Sequence, residues 1–174
     1  MGKASKRGVV RLIGGASASG KSTVAKMMAR ELGIPLIELD PIFDAVTGGR
    51  SATAVASTEG ICEALLSGLV RAGANCVVEG GWIQPEIADK YRGAGLQAVF
   101  CGYPNAIAED RLESMRGGRH WMTKIDDRNE AIGLVQKQIE DSRSYKTRAE
   151  RFSFDFIDFG DIAAGIAAIR SKFL

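Results

Sequence analysis

The sequence predicts an α/β protein, a parallel sheet of five strands with helices packed on both faces. Three observations lead there. Short β-branched and apolar runs alternate with longer stretches of helical period. The strand-like runs are almost continuously apolar, as strands covered on both faces must be. The chain has 174 residues, is 45% hydrophobic and 25% charged, and is long enough to enclose one sizeable core, so a single domain over 1–174 is expected.

The first strand is expected at Val9–Ile13, with Arg11 snorkelling outward. Lys21–Leu32 carries Val24, Met27, Met28 and Leu32 at helical spacing, and stops at Gly33 ahead of Pro35. A strand at Leu36–Leu39 leads into Pro41–Ser57, whose Gly, Ser, Thr and Ala content predicts a substrate-side loop. A helix at Thr58–Ala72, a strand at Cys76–Glu79, a helix at Pro85–Arg92, a strand at Ala98–Cys101 and a helix at Ala106–Met115 follow. Arg116–Arg128, with Gly117-Gly118 and alternating charge, has the composition of a lid. Helix Asn129–Glu150, strand Phe154–Phe159 and helix Ile162–Phe173, with Asp161 as N-cap, complete the set.

Composition narrows the partners. The net charge of +2 comes from 23 basic and 21 acidic side chains. A pI near 8.5 falls short of the value above about 9 that marks a dedicated nucleic-acid binder, so no nucleic-acid partner is expected. No apolar run approaches the roughly 18 residues of a membrane span, so no membrane partner is expected and the expected location is cytoplasmic. Cys62, Cys76 and Cys101 are odd in number and sit in apolar contexts, which suits reduced, buried thiols better than a disulfide framework or a zinc site.

The chemistry begins at Gly15-Ala16-Ser17-Ala18-Ser19-Gly20-Lys21-Ser22, a complete Gly-x-x-x-x-Gly-Lys-[Ser/Thr] motif between a strand-like run and a helix. Its four fixed positions would coincide by chance in roughly one chain of this length in a hundred or fewer. Glycines let the backbone wrap closely around phosphate oxygens, and the open N–H groups of the loop and helix start point at the anion. Gly15–Thr23 is therefore expected to hold the phosphates of a nucleoside triphosphate, ATP, with Lys21 near the β/γ-phosphates and the Ser22 hydroxyl on Mg²⁺. The plain alternative is a Gly-rich turn with a surface lysine. By itself the motif does not separate kinase from ATPase, GTPase or regulatory nucleotide binder.

In open parallel sheets ligands bind beyond the C-terminal strand ends, which draws attention to polar residues there. Asp40 could orient an acceptor hydroxyl, take its proton or hold Mg²⁺ through water; otherwise Asp40-Pro41 is an ordinary turn starter. Glu79, beside Gly80-Gly81, is a candidate for the magnesium hydration shell, or else a strand-end carboxylate paired with a lysine. Trp82 either flanks a substrate or packs in the core. Seven of the fourteen arginines fall within 111–151, where charge developing on a transferred phosphoryl group could be neutralised. Arg116 and Arg119 flank the Gly117-Gly118 hinge and take that role, whereas Arg128, Arg148 and Arg151 read as a salt-bridged helix face. His120, the one histidine, has no Asp, Cys or second His nearby to form a triad or metal site, and reads as structural or a lid contact.

At these residues the chain resembles the small P-loop kinases around adenylate, shikimate and uridine kinases. Ser17-Ala-Ser-Gly-Lys21 is worded like the uridine kinase and phosphoribulokinase loop, and Asp40-Pro-Ile-Phe43 is similar to the stretch that holds the acceptor hydroxyl there. Val77-Val78-Glu79-Gly80-Gly81-Trp82 resembles the Asp-Gly-Phe-Pro-Arg stretch of adenylate kinases, with Glu for Asp and no Pro-Arg. Glu109–Arg116 resembles the adenylate-kinase segment that opens the lid, which implies Arg111 against the adenine and Arg116 on phosphate, with the spacing one residue longer here. Arg143-Ser-Tyr145-Lys-Thr-Arg-Ala149 is similar to the shikimate-kinase stretch Arg-x-x-Tyr-x-x-x-Ala, one residue shorter between Arg and Tyr, which nominates Arg143 as a substrate or transition-state arginine.

The resemblance implies a three-layer P-loop NTPase fold, its five-stranded parallel sheet in the order 2-3-1-4-5, with helices on both faces and a short lid. It also implies transfer of the γ-phosphoryl group of Mg-ATP to a small-molecule acceptor such as a nucleoside, nucleotide, sugar or hydroxy acid. Lys21, Asp40, Arg116 and Arg143 would be catalytic, Gly15–Thr23, Arg111 and Arg119 on the nucleotide, and Ser22 and Glu79 on the metal. A regulatory NTPase, or a nucleotide-binding module without an acceptor, is the alternative.

Overall fold

The computed structural model describes residues 8–47, 52–115 and 124–174 and, of residues 47 and 52–57, the backbone alone. The elements run β1 (Val10–Gly15), α1 (Lys21–Leu32), β2 (Leu36–Glu38), α2 (Leu39–Thr47), α3 (Ala52–Arg71), β3 (Cys76–Glu79), α4 (Pro85–Asp89), β4 (Leu96–Gly102), α5 (Ala108–Met115), α6 (Arg128–Arg151), β5 (Asp155–Asp158) and α7 (Ile162–Phe173). All strand pairs are parallel, and the sheet order is β2-β3-β1-β4-β5. This is the expected fold of the P-loop kinases, with β1 at the centre.

Alternation along the strands builds the layers, because successive side chains point to opposite sheet faces. Val10, Leu12, Cys76, Val78, Ala98 and Phe100 face a cluster completed by Leu66 of α3, Ala88 of α4 and Tyr145 of α6. Their neighbours Ile13, Val77, Val99 and Cys101 face the opposite cluster, with Val24 and Met28 of α1 and Ile169 and Phe173 of α7. A third cluster joins α5 to α6 through Tyr103, Leu112, Val135 and Ile139. Cys62, Cys76 and Cys101 are free and buried, as their apolar contexts predict.

Helix ends follow the expected chemistry. Gly33 closes α1 in the left-handed region (φ 64°), its N–H donating to the Arg30 carbonyl at 3.2 Å and that of Ile34 to Ala29 at 3.1 Å. Asp161 caps α7 by accepting from the Ala164 N–H at 3.0 Å. Asp127 does the same for α6, accepting from Asn129 and Glu130 at 2.8 and 3.2 Å.

One expectation is overturned. Where described, Pro41–Ser57 is helical and not an irregular loop: α2 begins at Leu39, and α3 begins at Ala52, six residues ahead of the expected Thr58. Pro41 is accommodated because it lies in the first turn of α2, where its missing N–H has no intrahelical partner to lose. Leu39 and Phe43, four residues apart on one helix face, are both buried. Smaller shifts shorten β2, α4 and β5 and extend β1 and β4 by one to three residues. Residues 116–123 of the expected lid, with Arg116, Arg119 and His120, lie outside the described residues.

Candidate active site

The β1–α1 loop owes its shape to left-handed backbone at Gly15 (φ 121°), Ala18 (φ 56°) and Gly20 (φ 89°). A Cβ on Gly15 would stand 2.0 Å from the Cys101 carbonyl oxygen, so β4 packs against bare backbone there. Gly20 starts α1 with no side-chain cap, which leaves first-turn N–H groups available to an anion.

Two side chains brace the loop. The Tyr103 hydroxyl donates to the Ser17 carbonyl at 3.0 Å, and Arg111 Nη2 donates to the Ala18 carbonyl at 2.6 Å. The Arg111 guanidinium also lies 4.4 Å from the centroid of the Tyr103 ring. Because C=O and N–H of a trans peptide point in opposite directions, these bonds turn the Ala18 and Ser19 N–H groups away from the brace. Burial pushes the Tyr103 hydroxyl up to about 12, so it stays protonated and keeps donating.

Lys21, 6% exposed, donates to the Ala16 carbonyl at 2.8 Å and stands 3.9 Å from Glu79 Oε1. Glu79, 2% exposed, closes β3 directly beside Ile13 of β1. Burial raises its carboxyl above the ordinary range and the charge of Asp40 adds to that, while Lys21 and the Ser22 hydroxyl pull it down. The lysine pairing expected of Glu79 is present, and the Ser22 hydroxyl is bonded to the same carboxylate. Glu79 Oε1 and the buried Ser19 hydroxyl have no hydrogen-bond partner. Buried polar atoms are costly in that state. The donor set fits the expected ligands: two hard oxygens at Ser22 and Glu79 suit Mg²⁺, whose other positions phosphate and water fill, and Ser19 suits a phosphate oxygen.

A cavity of about 670 Å³ extends from this loop to a second wall made by Asp40 of α2, the turn after β3, and α6. Close packing sets the turn: a Cβ on Gly80 would meet Leu39 at 2.8 Å, and one on Gly81 the Gly15 carbonyl at 3.1 Å. The Tyr145 hydroxyl donates to the Gly81 carbonyl, and Gln84 Nε2 donates to that carbonyl at 3.1 Å and to the Tyr145 oxygen at 2.7 Å. Trp82 stacks on Phe43 with ring centroids 4.4 Å apart and also lines the cavity, so it is core and wall together. Arg148 grips Glu86 through Nε (2.8 Å) and Nη2 (2.5 Å), and Gln84 Oε1 through Nη1 (2.8 Å).

The structure thus brings Gly15–Thr23 and Asp40 to one cavity, with Glu79 beneath the loop. Arg111 stands behind the loop. Arg143 is exposed, outside the cavity lining, and donates to the Pro104 carbonyl at 2.9 Å.

The sequence matches the family described as AAA domain over residues 10–120, well over half of the chain. The chain belongs to the AAA domain family. No curated protein matches it. Among solved structures this AAA domain chain is similar to a shikimate kinase from Bacteroides thetaiotaomicron, 16% identical with a TM-score of 0.63, covering 94% of this chain and 97% of that one. It is similar to a gluconokinase from Sinorhizobium meliloti 1021, 21% identical with a TM-score of 0.53, covering 95% and 94%. It is also similar to a shikimate kinase from Acinetobacter baumannii solved with shikimate, 16% identical with a TM-score of 0.55, covering 95% and 94%. At these identities the likeness establishes the fold.

Sequence reasoning passed over part of the AAA domain's second wall. Gln84, Gln138, Asp141 and Ser144 all line the cavity, and Arg148, expected in a surface ion pair, makes that pair with Glu86 from inside the lining. A signal existed. Gln138, Asp141, Tyr145 and Arg148 are spaced three and four apart, a polar stripe along one face of α6.

Proposed function

We propose that the chain is a phosphotransferase that moves the γ-phosphoryl group of a Mg-nucleoside triphosphate, ATP, to a small-molecule acceptor within one domain spanning 1–174. One observation supports this above hydrolysis alone: a single cavity joins the phosphate loop to a built second wall that carries Asp40 and Trp82. Water needs no such wall, whereas an acceptor needs one to be positioned.

The loop N–H groups and Lys21 hold the phosphates in place. Lys21 is preorganised by Glu79 and the Ala16 carbonyl, so little rearrangement accompanies charge development. Ser22 and Glu79 would hold Mg²⁺, which supplies charge neutralisation at the phosphates when bound. Asp40 orients the acceptor hydroxyl and takes its proton. The acceptor oxygen forms the new bond to phosphorus, the bond from phosphorus to the β–γ bridging oxygen breaks, and that oxygen leaves with the electron pair on the diphosphate. Arg111 contributes through the loop it braces, and Arg116 and Arg119 are assigned to the transferred charge and the nucleotide.

The test is acceptor-dependent ADP release across nucleosides, nucleotides, sugars and hydroxy acids. Asp40→Asn should spare ATP binding and remove transfer to a hydroxyl. ADP release that no acceptor accelerates would count against the proposal, and full transfer by Asp40→Asn would remove the base assignment.

A further inference from the structure

Two cations, Lys21 and Arg148, line the cavity among the described residues, and both are already engaged. Lys21 belongs to the phosphate end, with Glu79 and the Ala16 carbonyl as partners. Arg148 uses Nε, Nη1 and Nη2 on Glu86 and Gln84, and its hydrogen bond to Glu86 holds that carboxyl below its ordinary range, so the pair is ionised and close to neutral as a unit. The same wall carries two carboxylates, Asp40 and Asp141. The rest of it is neutral: Gln84, Gln138, Ser144 and Tyr145 offer hydrogen-bonding groups, and Trp82 offers an aromatic surface. Among the described residues, the acceptor end therefore carries two carboxylates against one arginine already paired with Glu86.

Building on the phosphotransferase proposal above, we infer that the acceptor is a hydroxylated ring carrying no carboxylate or phosphate, such as a sugar, an amino sugar or a nucleoside. A carboxylate or phosphate placed there would face Asp40 and Asp141 in a partly desolvated cavity with no unengaged cation among the described residues, an arrangement that repels it. A ring hydroxyl gains what the wall supplies: Asp40 accepts its proton, Asp141 and the amides pair with further hydroxyls or an amine, and Trp82 packs against the ring. The chemistry is the balanced transfer given above, with the acceptor O–H as nucleophile and its proton on Asp40. A preference for uncharged rings sets this chain apart from its structural neighbours named for shikimate and gluconate, both of which are acids.

The experiment measures kcat/KM for ADP release with parent hexoses, amino sugars and nucleosides, and with pairs that keep the same free hydroxyls and differ in charge: a uronic acid methyl ester and the uronic acid, a methyl hexoside and the hexose 1-phosphate, a 3′-O-methyl nucleoside and the nucleoside 3′-monophosphate. Binding of ATP alone is measured in parallel by calorimetry. The uncharged member should be favoured by about tenfold or more. Glu86→Gln, which leaves Arg148 without its counter-charge, should shift the ratio toward the acidic member, and Asp141→Asn should narrow it from the other side. A preference for the acidic member in wild type overturns this inference and leaves the phosphotransferase proposal standing. Bound ATP with no acceptor of either kind raising ADP release overturns both.

Discussion

Lys21 Nζ lies 3.9 Å from Glu79 Oε1, and both side chains are withdrawn from solvent, at 6% and 2% exposure. The residue meant to meet the phosphates is thus tied to the residue meant to meet the metal. Lys21→Ala should cost about 10²-fold or more in turnover and also destabilise the fold, because it leaves Glu79 as an uncompensated buried carboxylate. Adding Glu79→Gln should recover the stability and not the turnover. A double-mutant cycle by urea denaturation should give a coupling of about 1–3 kcal/mol; additive effects would show that the two charges do not interact.

Tyr145 holds the turn that presents Trp82 by donating to the Gly81 carbonyl and accepting from Gln84. Removing its hydroxyl leaves the half-buried Gly81 carbonyl and Gln84 amide short of a bond, so Tyr145→Phe should lose about 1 kcal/mol of stability. The larger effect should appear in the KM for the acceptor, with the affinity for ATP unchanged. Loss of ATP affinity instead would place the tyrosine's influence on the phosphate loop.

The Glu86–Arg148 pair predicts a pH dependence of known sign. Its hydrogen bond holds the Glu86 carboxyl below the ordinary 4.5. With a depressed native pKa the unfolded chain binds more protons as the solution is acidified, so the pair's contribution is present above pH 4.5 and lost as pH falls through the native value. The stability gap between wild type and Glu86→Gln should be full near neutral pH and close progressively below pH 4.5. Both side chains are more than a third exposed, so the gap should stay within about 1 kcal/mol and shrink in salt. A gap that persists in acid would mean that Glu86 contributes through packing.

Two glycines should respond in opposite directions. Gly15→Ala drives a methyl to 2.0 Å from the Cys101 carbonyl oxygen at φ 121°, and should abolish ATP binding or unfold the protein. Gly133 lies inside α6, where an added methyl would meet nothing within 4 Å, and should gain about 0.5–1 kcal/mol as Ala. Thermal denaturation of the two variants distinguishes these outcomes directly.

Much of the architecture was legible because its signals are local. α1 and α7 start and stop where their glycines and Asp161 predict, and β3 matches residue for residue, since its apolar run ends abruptly at Glu79-Gly80. The Pro41–Ser57 stretch misled for a local reason too. Its small residues and proline read as loop chemistry, but a proline in a first turn and a Leu39–Phe43 face buried against the body of the protein make a helix.

The sequence alone determined that a Gly-x-x-x-x-Gly-Lys-Ser loop joins β1 to α1, because that motif is carried by neighbouring residues whose spacing is its meaning. It could not determine what stands opposite. Tyr145 meets Gly81 across 64 residues of chain, Arg148 meets Gln84 across another 64, and Arg111 reaches Ala18 across 93. Those contacts exist only once the parallel sheet has set β3, β1 and β4 side by side and laid α5 and α6 over their ends. The same step withdraws Glu79 from water and brings Arg148, paired with Glu86, to the wall of a cavity. Burial and charge compensation are properties of the assembled layers, and no stretch of sequence carries them by itself.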